Sequence, residues 1–213
     1  FCGGAVGFLG YDMVRFMEDL PDNRPATEFP DSSFMVPKIV LVHDSFKPTV
    51  TIVCWVQVDE LSDGSALYDA AVQLINAVIT KIKQPVSADV FAASASDGSI
   101  AHTFSANMAQ DQFAAMVEKA KEYIIAGDII QVVLSQRFHT TTELSPMVLY
   151  RALRHLNPSP YLFFLQLGDI IQIGSSPEIL VRKEGANIEL RPIAGTRKRG
   201  STPEQDLALE QEL

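Results

Sequence analysis

Cysteine, tryptophan and long apolar runs are all scarce in this sequence. Cys2 and Cys54 are its two cysteines, it has one tryptophan, and no CxxC spacing occurs. Two cysteines without a motif favour buried, reduced thiols in a cytoplasmic protein over a disulfide framework or a zinc site. A membrane helix needs about 20 consecutive apolar residues. No run approaches that length, so we expect a cytoplasmic protein with no membrane partner.

Positive charge and cofactor motifs are also sparse. The chain has 17 Lys and Arg against 26 Asp and Glu, a net charge of −9. A nucleic-acid-binding surface needs a basic patch, so we expect no nucleic acid partner. The four histidines show no metal-ligand spacing. The sequence also lacks a Walker loop, a GxGxxG before a helix and a GxSxG, which excludes the commonest nucleotide-binding and hydrolase signatures.

What is present is a chain of 213 residues with 47% hydrophobic residues. That is enough for one large domain or parts of two. The first residues, 1–4, contain neither an initiator methionine nor a signal peptide, and the last ones, 209–213, stop within a helical pattern without a capping residue. We therefore expect an internal piece of a longer chain.

The hydrophobic patterns predict both strands and helices. A hairpin is predicted over 38–46 and 50–58, and an amphipathic helix follows the Asp63-Gly64-Ser65 turn. Residues 84–102 are rich in Ser, Ala, Asp and Gly and predict a linker. The remaining elements are a helix over 107–126 closed by Gly127, a strand over 129–140, a helix from Ser145-Pro146 to about His155, and strands over 161–167, 170–174, 178–183 and 187–193. Tight turns between the last strands favour antiparallel pairing, and hence an α+β fold with helices outside antiparallel sheets.

Residues 174–200 carry the densest set of reactive side chains. Glu178 follows Ser-Ser-Pro at the start of an apolar segment, where it could be a general acid or a surface carboxylate. Backbone N–H groups and a hydroxyl in 194–196 could hold an anion. Four cations lie between Arg191 and Arg199, and they could bind an anion or form a solvated turn.

Three other segments leave their roles open. Gln131 lies in the apolar run 129–134, where alternation gives it an interior or cleft face, and a buried Gln needs partners. Residues 157–161 form a two-proline turn before aromatic residues, which fits a helix terminator or a rigid ligand pocket. The glycine-rich start, 3–12, favours close backbone packing.

Five blocks in order resemble the chorismate-utilising enzymes, and most closely the large subunits of anthranilate synthase. They are GGAVGFLGYD at 3–12, AKEYIIAGDIIQVVLSQRF at 120–138, NPSPYLFFL at 157–165, GSSPEILVR at 174–182 and RPIAGTRKRG at 191–200. The resemblance implies a truncated form of a two-lobed sandwich of antiparallel sheets with outer helices. Residues 1–83 would be the end of the regulatory lobe, 84–102 the linker, and 103–213 the first part of the chorismate-binding lobe.

The resemblance also implies roles for particular residues. Glu178 matches the acid that protonates the leaving C4 hydroxyl of chorismate, and a protonated carboxyl requires an apolar site. Gln131 matches a position where isochorismate synthases carry a water-activating lysine, so ammonia becomes the expected nucleophile. Gly195 and Thr196 match the turn that binds the ring carboxylate. Ala194 replaces a lysine that is common in 4-amino-4-deoxychorismate synthases, which favours anthranilate synthase.

The same resemblance implies a feedback site, a cofactor and partners. The NPSPY block would line a tryptophan feedback site, formed by Asn157, Pro158, Pro160, Tyr161, Leu162 and Phe163. The family uses Mg²⁺, whose ligands we expect beyond Leu213, so no metal ligand is assigned within the chain. Expected partners are chorismate, ammonia and a glutamine amidotransferase subunit. The alternatives are 4-amino-4-deoxychorismate synthase or a non-catalytic tryptophan-binding protein of the same fold, and we expect the chain alone to be inactive.

Overall fold

Five strand pairs, all antiparallel, and four α-helices make up the part of the chain that the computed structural model describes, residues 2–21, 28–87, 103–192 and 196–213. This confirms the α+β prediction. By their contacts the residues divide into two units. The first unit contains Phe1–Val90 and Leu149–Leu213, and the second contains Phe91–Val148. The predicted division into lobes stays a prediction, and most of its linker lies outside the described residues.

The first unit opens with β1 (Val6–Leu9) paired to β2 (Ser32–Met35), with a 3-10 helix at Tyr11–Phe16 between them. Gly7 lies in the glycine-rich segment 3–12 and shows one reason for a glycine there. A Cβ atom at Gly7 would overlap the carbonyl oxygen of Ser33 on the paired strand. The predicted close backbone packing is therefore confirmed at this position.

A hairpin and a helix follow, as predicted. β3 (Ile39–Asp44) pairs with β4 (Thr49–Cys54), and α1 (Gly64–Ile82) contacts β4. The Asp63 side chain accepts hydrogen bonds from the backbone N–H groups of the next turn, at 3.0 Å and 3.3 Å. This N-cap satisfies two donors that the first helical turn leaves open, which fixes where α1 begins.

The second unit holds α2 (Gln110–Ala126) and a short pair formed by β5 (Ser105–Ala106) and β6 (Phe138–His139). Gly127 closes α2 in the left-handed conformation at φ 82°, as predicted, whereas the helix begins three residues later than expected. The strand predicted over 129–140 is wrong, because only Phe138–His139 lies in a strand. A strand needs a neighbour for its backbone groups, and only β5 supplies one among the described residues.

The second segment of the first unit, Leu149–Leu213, contains another hairpin. α3 (Pro146–Leu156) is preceded by Ser145, whose hydroxyl accepts from the N–H of Val148 at 3.3 Å. β7 (Tyr161–Leu167) then pairs with β8 (Ile170–Ser176) around a turn whose Gly168 has φ 64°. Both elements match their predictions closely. Tyr150 of α3 packs edge-on against Phe164 of β7, with ring centroids 5.9 Å apart.

The last strands are shorter than predicted. β9 (Arg182–Glu184) pairs with β10 (Asn187–Glu189) through a turn at Gly185, so 178–181 and 190–192 lie outside any strand. α4 (Pro203–Glu212) is capped by the Thr202 hydroxyl and has Pro203 in its first turn. The basic residues before it thus lie between a short hairpin and a helix.

Many large apolar side chains of the described residues are partly or largely exposed to solvent. None of these residues is fully buried, and Ile130 is 98% exposed. The prediction of two buried thiols is therefore wrong. Cys2 is exposed and Cys54 is half-buried, and both are free. Within the described part of the chain, no helix is both long and apolar enough to cross a bilayer.

Candidate functional site

The β7–β8 hairpin is the frame of the candidate site. Its register sets Tyr161 opposite Ser176 and Phe163 opposite Gly174. Side chains alternate between the two faces of a strand, so these four residues share one face. The predicted inhibitor block and the predicted acid block therefore meet along one pair of strands.

Gly174 makes room for an aromatic ring on that face. A Cβ atom built on Gly174 would overlap the ring of Phe163 on the paired strand. Any larger residue at this position would displace the ring. The glycine of the GSSPE block thus has a packing role within the candidate site.

Alternation also divides the residues predicted to bind tryptophan. Tyr161 and Phe163 lie on one face and are 37% and 39% exposed. Leu162 falls on the opposite face together with Phe164, which α3 covers through Tyr150. A single ligand on the hairpin would contact the first pair or Leu162, but not all three through side chains on one face.

The turn before β7 is held by its own backbone and by a serine. Asn157 ends α3, with its N–H bonded to the Leu153 carbonyl at 2.8 Å. Pro158 and Pro160 fix two φ angles on either side of Ser159. The Ser159 hydroxyl accepts from the N–H of Tyr161 at 3.1 Å. Asn157, Pro158 and Pro160 are exposed, as a ligand-contacting turn requires.

Serine hydroxyls connect this turn to the end of β8. Ser175 Oγ donates to the carbonyl of Asn157 at 2.8 Å, and Ser159 Oγ donates to the carbonyl of Ser176. Ser176 Oγ donates onward to the carbonyl of Glu178 at 3.0 Å. Sequence patterns missed these three serines as functional candidates. The conspicuous Ser-Ser-Pro-Glu string and the Ser between two prolines were the available signals.

Glu178 lies in a bend two residues after β8, and its side chain is exposed. The expectation that it starts a strand is wrong, because β9 begins at Arg182. The described residues do not enclose it in the apolar surroundings that a protonated carboxyl needs. Its backbone position is nevertheless fixed by the Ser176 hydroxyl and by the φ angle of Pro177.

The other predicted site residues are less defined. Gln131 is exposed and carries no strand pairing, so its predicted interior face is not formed within the second unit. Ala194 and Gly195 lie outside the described residues. Thr196 is exposed and follows directly after them. Gln131 and Glu178 belong to different units.

The basic segment is already paired with carboxylates. Arg191 bonds Glu189 at 2.6 Å, and Arg199 pairs with Asp206 of α4 at 2.6 Å. Arg197 reaches Glu212 at the far end of α4, at 3.2 Å. Exposed pairs of this kind contribute about 0–1 kcal/mol each, so they fix geometry more than stability. The solvated-turn interpretation fits these three cations better than an open anion site does.

A cavity of about 650 Å³ lies elsewhere in the first unit. Its lining includes Trp55, Lys38 and the backbone of Gly3 and Gly4, and none of the predicted site residues. The indole N–H of Trp55 donates to the Cys2 carbonyl at 2.6 Å, which holds one wall in place. Among the described residues, no three His, Cys, Asp or Glu side chains come together as a metal site would require.

The chain matches one known family over nearly its whole length. The sequence model of the family described as "chorismate binding enzyme" matches residues 2–213, so the chain belongs to that family. It is 44% identical to anthranilate synthase component 1 of Cereibacter sphaeroides, over 99% of this chain and 42% of that protein. With the Aquifex aeolicus protein of the same name it shares 40% identity, over 100% of this chain and 42% of the relative.

A solved structure supports the fold. The crystal structure of anthranilate synthase component I from Streptococcus pneumoniae superposes with a TM-score of 0.74 at 33% identity. The match covers 100% of this chain and 45% of that one. The chain thus spans less than half the length of the relatives that it matches.

Proposed function

We propose that this chain is the part of an anthranilate synthase large subunit that carries the leaving-group acid and half of a feedback site. The whole protein would be a carbon–oxygen lyase of tryptophan biosynthesis that converts chorismate and ammonia to anthranilate and pyruvate. The observation that supports this best is the full-chain similarity of 40–44% to proteins named anthranilate synthase component 1. The hydrogen bond from the Ser176 hydroxyl to the Glu178 carbonyl, which holds the backbone of the proposed acid, also supports the proposal.

The first chemical step assigns a task to Glu178. The nitrogen of ammonia forms a bond to C2 of chorismate, the ring double bonds shift, and the C4–O bond breaks. Glu178 donates its proton to the departing hydroxyl, which leaves as water. The added nitrogen loses a proton, and loss of the C2 proton with cleavage of the C3–O bond then releases pyruvate and leaves the aromatic ring of anthranilate.

Four further residues select the nucleophile and hold the substrate. Gln131 has no basic group to take a proton from water, so water attack is disfavoured and ammonia reacts instead. Ala194 cannot form the covalent bond that a lysine at this position would form. Gly195 and Thr196 would bind the ring carboxylate through backbone N–H groups and a hydroxyl.

A partner subunit would supply the ammonia, and a bound inhibitor would regulate the enzyme. A glutamine amidotransferase subunit would release ammonia next to the chorismate site. Tryptophan would bind at the 157–163 segment, where the exposed Tyr161 and Phe163 offer an apolar face. The Tyr161 side chain is amphipathic, the Phe163 side chain is apolar, and both rings are rigid, which suits contact with an indole ring.

Magnesium is expected from the family resemblance, but the described residues do not provide its site. Among the residues that the structure describes, no three His, Cys, Asp or Glu side chains group together, and the carboxylates of Glu189, Asp206 and Glu212 are paired with arginines. We therefore derive no step through a metal from these residues. For the same reason we expect the 213-residue chain alone to produce no anthranilate from chorismate and ammonium, as an anthranilate fluorescence assay would test.

A chimera tests the assignment of the acid. In it, this chain replaces the matching region of the Cereibacter sphaeroides protein, which is 44% identical over that stretch. Glu178→Gln keeps the size and polarity of the side chain but removes the proton. It should lower kcat with chorismate and ammonium by at least about 100-fold. Glu143→Gln changes another exposed glutamate and should leave kcat unchanged. Full activity of the Glu178→Gln chimera would refute the assignment.

A further inference from the structure

Three serine hydroxyls form a chain of hydrogen bonds from the two-proline turn to the residue proposed as the acid. The Ser159 hydroxyl donates to the Ser176 carbonyl, 17 residues later. The Ser176 hydroxyl donates to the Glu178 carbonyl at 3.0 Å. The Ser175 hydroxyl donates back to the Asn157 carbonyl at 2.8 Å, a span of 18 residues. We name this set, Ser159, Ser175 and Ser176, the serine link.

The serine link continues the hairpin beyond its last strand pair. Tyr161 and Ser176 are the final residues in register, and each hydroxyl bond joins a residue of β8 to a residue outside the two paired strands. All three serines are half-exposed side chains whose hydroxyls bond backbone carbonyls and not other side chains. Side chains therefore replace the backbone ladder where prolines prevent its continuation, because Pro158, Pro160 and Pro177 have no N–H to donate.

Proline also makes the serine link stiff. Each proline fixes one φ angle, so few soft dihedral angles remain between Asn157 and Tyr161 or between Ser176 and Glu178. The hydroxyl bonds connect the turn 157–161 to residues 175–178, so that the two segments move together. A ligand that displaces the turn by a small distance would therefore displace the Glu178 backbone as well.

We infer that Ser159 and Ser176 are positioning residues that couple occupancy of the two-proline turn to the placement of the Glu178 carboxyl. This rests on the proposed function, because it assigns the acid to Glu178 and the inhibitor to the turn. Ser176 sets the bend that aims Glu178, and Ser159 holds that bend against the turn. Tryptophan bound at the turn would thus act on kcat by moving the acid.

The chimera described above provides the kinetic test. Ser176→Ala and Ser159→Ala should each lower kcat about ten-fold, since small misplacements of a reacting group have large effects, and leave the KM for chorismate within about two-fold. The tryptophan concentration for half inhibition should rise at least about five-fold in both variants. Ser176→Thr retains the hydroxyl and should restore both values. Ser145→Ala removes a serine hydroxyl bond at the start of α3 and should change neither.

A measurement on the 213-residue chain separates failure of the link from failure of the proposed function. The Tyr161 N–H donates to Ser159, so Ser159→Ala should speed its hydrogen exchange by at least about five-fold and shift the Glu178 amide resonance. If the parent chimera makes no anthranilate but both NMR changes occur, the proposed function is wrong although the hydrogen bonds of the serine link are present. If exchange and resonance stay unchanged, or if both alanine variants keep parental kcat and inhibition, the link is refuted.

Discussion

The hydroxyl of Ser175 donates a 2.8 Å hydrogen bond to the backbone carbonyl of Asn157. These two residues belong to the NPSPY and GSSPE blocks, which sequence patterns treat as separate motifs. The bond joins the end of α3 to the end of β8 and brings the candidate inhibitor turn next to the candidate acid. Regulation and catalysis would therefore share one short stretch of hairpin in the first unit.

Changing Gln131 to Lys in the chimera should open a route for water. A lysine amine can take a proton from water, whereas an amide cannot. We expect a small amount of a hydroxylated product that carries ¹⁸O at C2 when the reaction runs in H₂¹⁸O. Mass spectrometry of the products measures it.

Gln131→Met is the matched control for that change. It has a similar length and no basic group, so it should give no labelled product. Absence of the label in the Gln131→Lys reaction would contradict the argument that this position excludes water.

Replacing Gly7 with Ala should destabilise the β1–β2 pair. The new Cβ would overlap the Ser33 carbonyl, and backbone has to shift to relieve the overlap. Overpacking of this kind costs about 1–3 kcal/mol. Urea unfolding followed by the fluorescence of Trp55, whose indole bonds Cys2 close to β1, reports the loss.

Gly64→Ala is the contrasting variant for the same unfolding experiment. A Cβ atom at Gly64, at the start of α1, would meet no neighbouring side chain or loop atom within 4 Å. Alanine forms helix better than glycine by about 1 kcal/mol, so this change should be neutral or stabilising. Equal destabilisation by both variants would mean that Gly7 does not mark a close backbone approach.

The start of α4 should respond to acid through Glu204. Its own backbone N–H and then the Thr202 hydroxyl donate to the carboxylate and hold its pKa below the ordinary value. A depressed pKa contributes stability that is present above the unfolded-state pKa and lost as the pH falls through the folded-state pKa. Thr202→Ala removes one donor, so the Glu204 carboxyl should titrate at higher pH by NMR.

Ser201→Ala is the control for that titration, since it removes a neighbouring hydroxyl that does not bond Glu204. It should leave the Glu204 titration where it was. An unchanged midpoint in Thr202→Ala would show that the hydroxyl does not contribute to the lowered pKa.

Local patterns predicted elements well where the deciding contacts are local. Asp63 marks the start of α1 and Gly127 marks the end of α2. Each does so through hydrogen bonds within one or two helical turns, and both residues can be recognised in the sequence. The β7–β8 hairpin was predictable because a tight turn sets its register. By contrast, apolar alternation over 129–140 could not show that only Phe138–His139 finds a neighbouring strand.

The candidate site was predictable in its residue types but not in its connections. The Ser-Ser-Pro-Glu string marked Glu178, yet the two serines before it bond Ser159 and Asn157, which lie 17 and 18 residues earlier in the chain. Such relations depend on register and on long-range packing, which composition and spacing do not encode.

The most direct test of the central proposal is the product made by the parent chimera from chorismate with ammonium as the nitrogen source. Chromatography with a pyruvate assay should find one anthranilate and one pyruvate for each chorismate consumed. Accumulation of non-aromatic 4-amino-4-deoxychorismate, with no pyruvate released, would contradict the proposal and favour the folate-pathway relative.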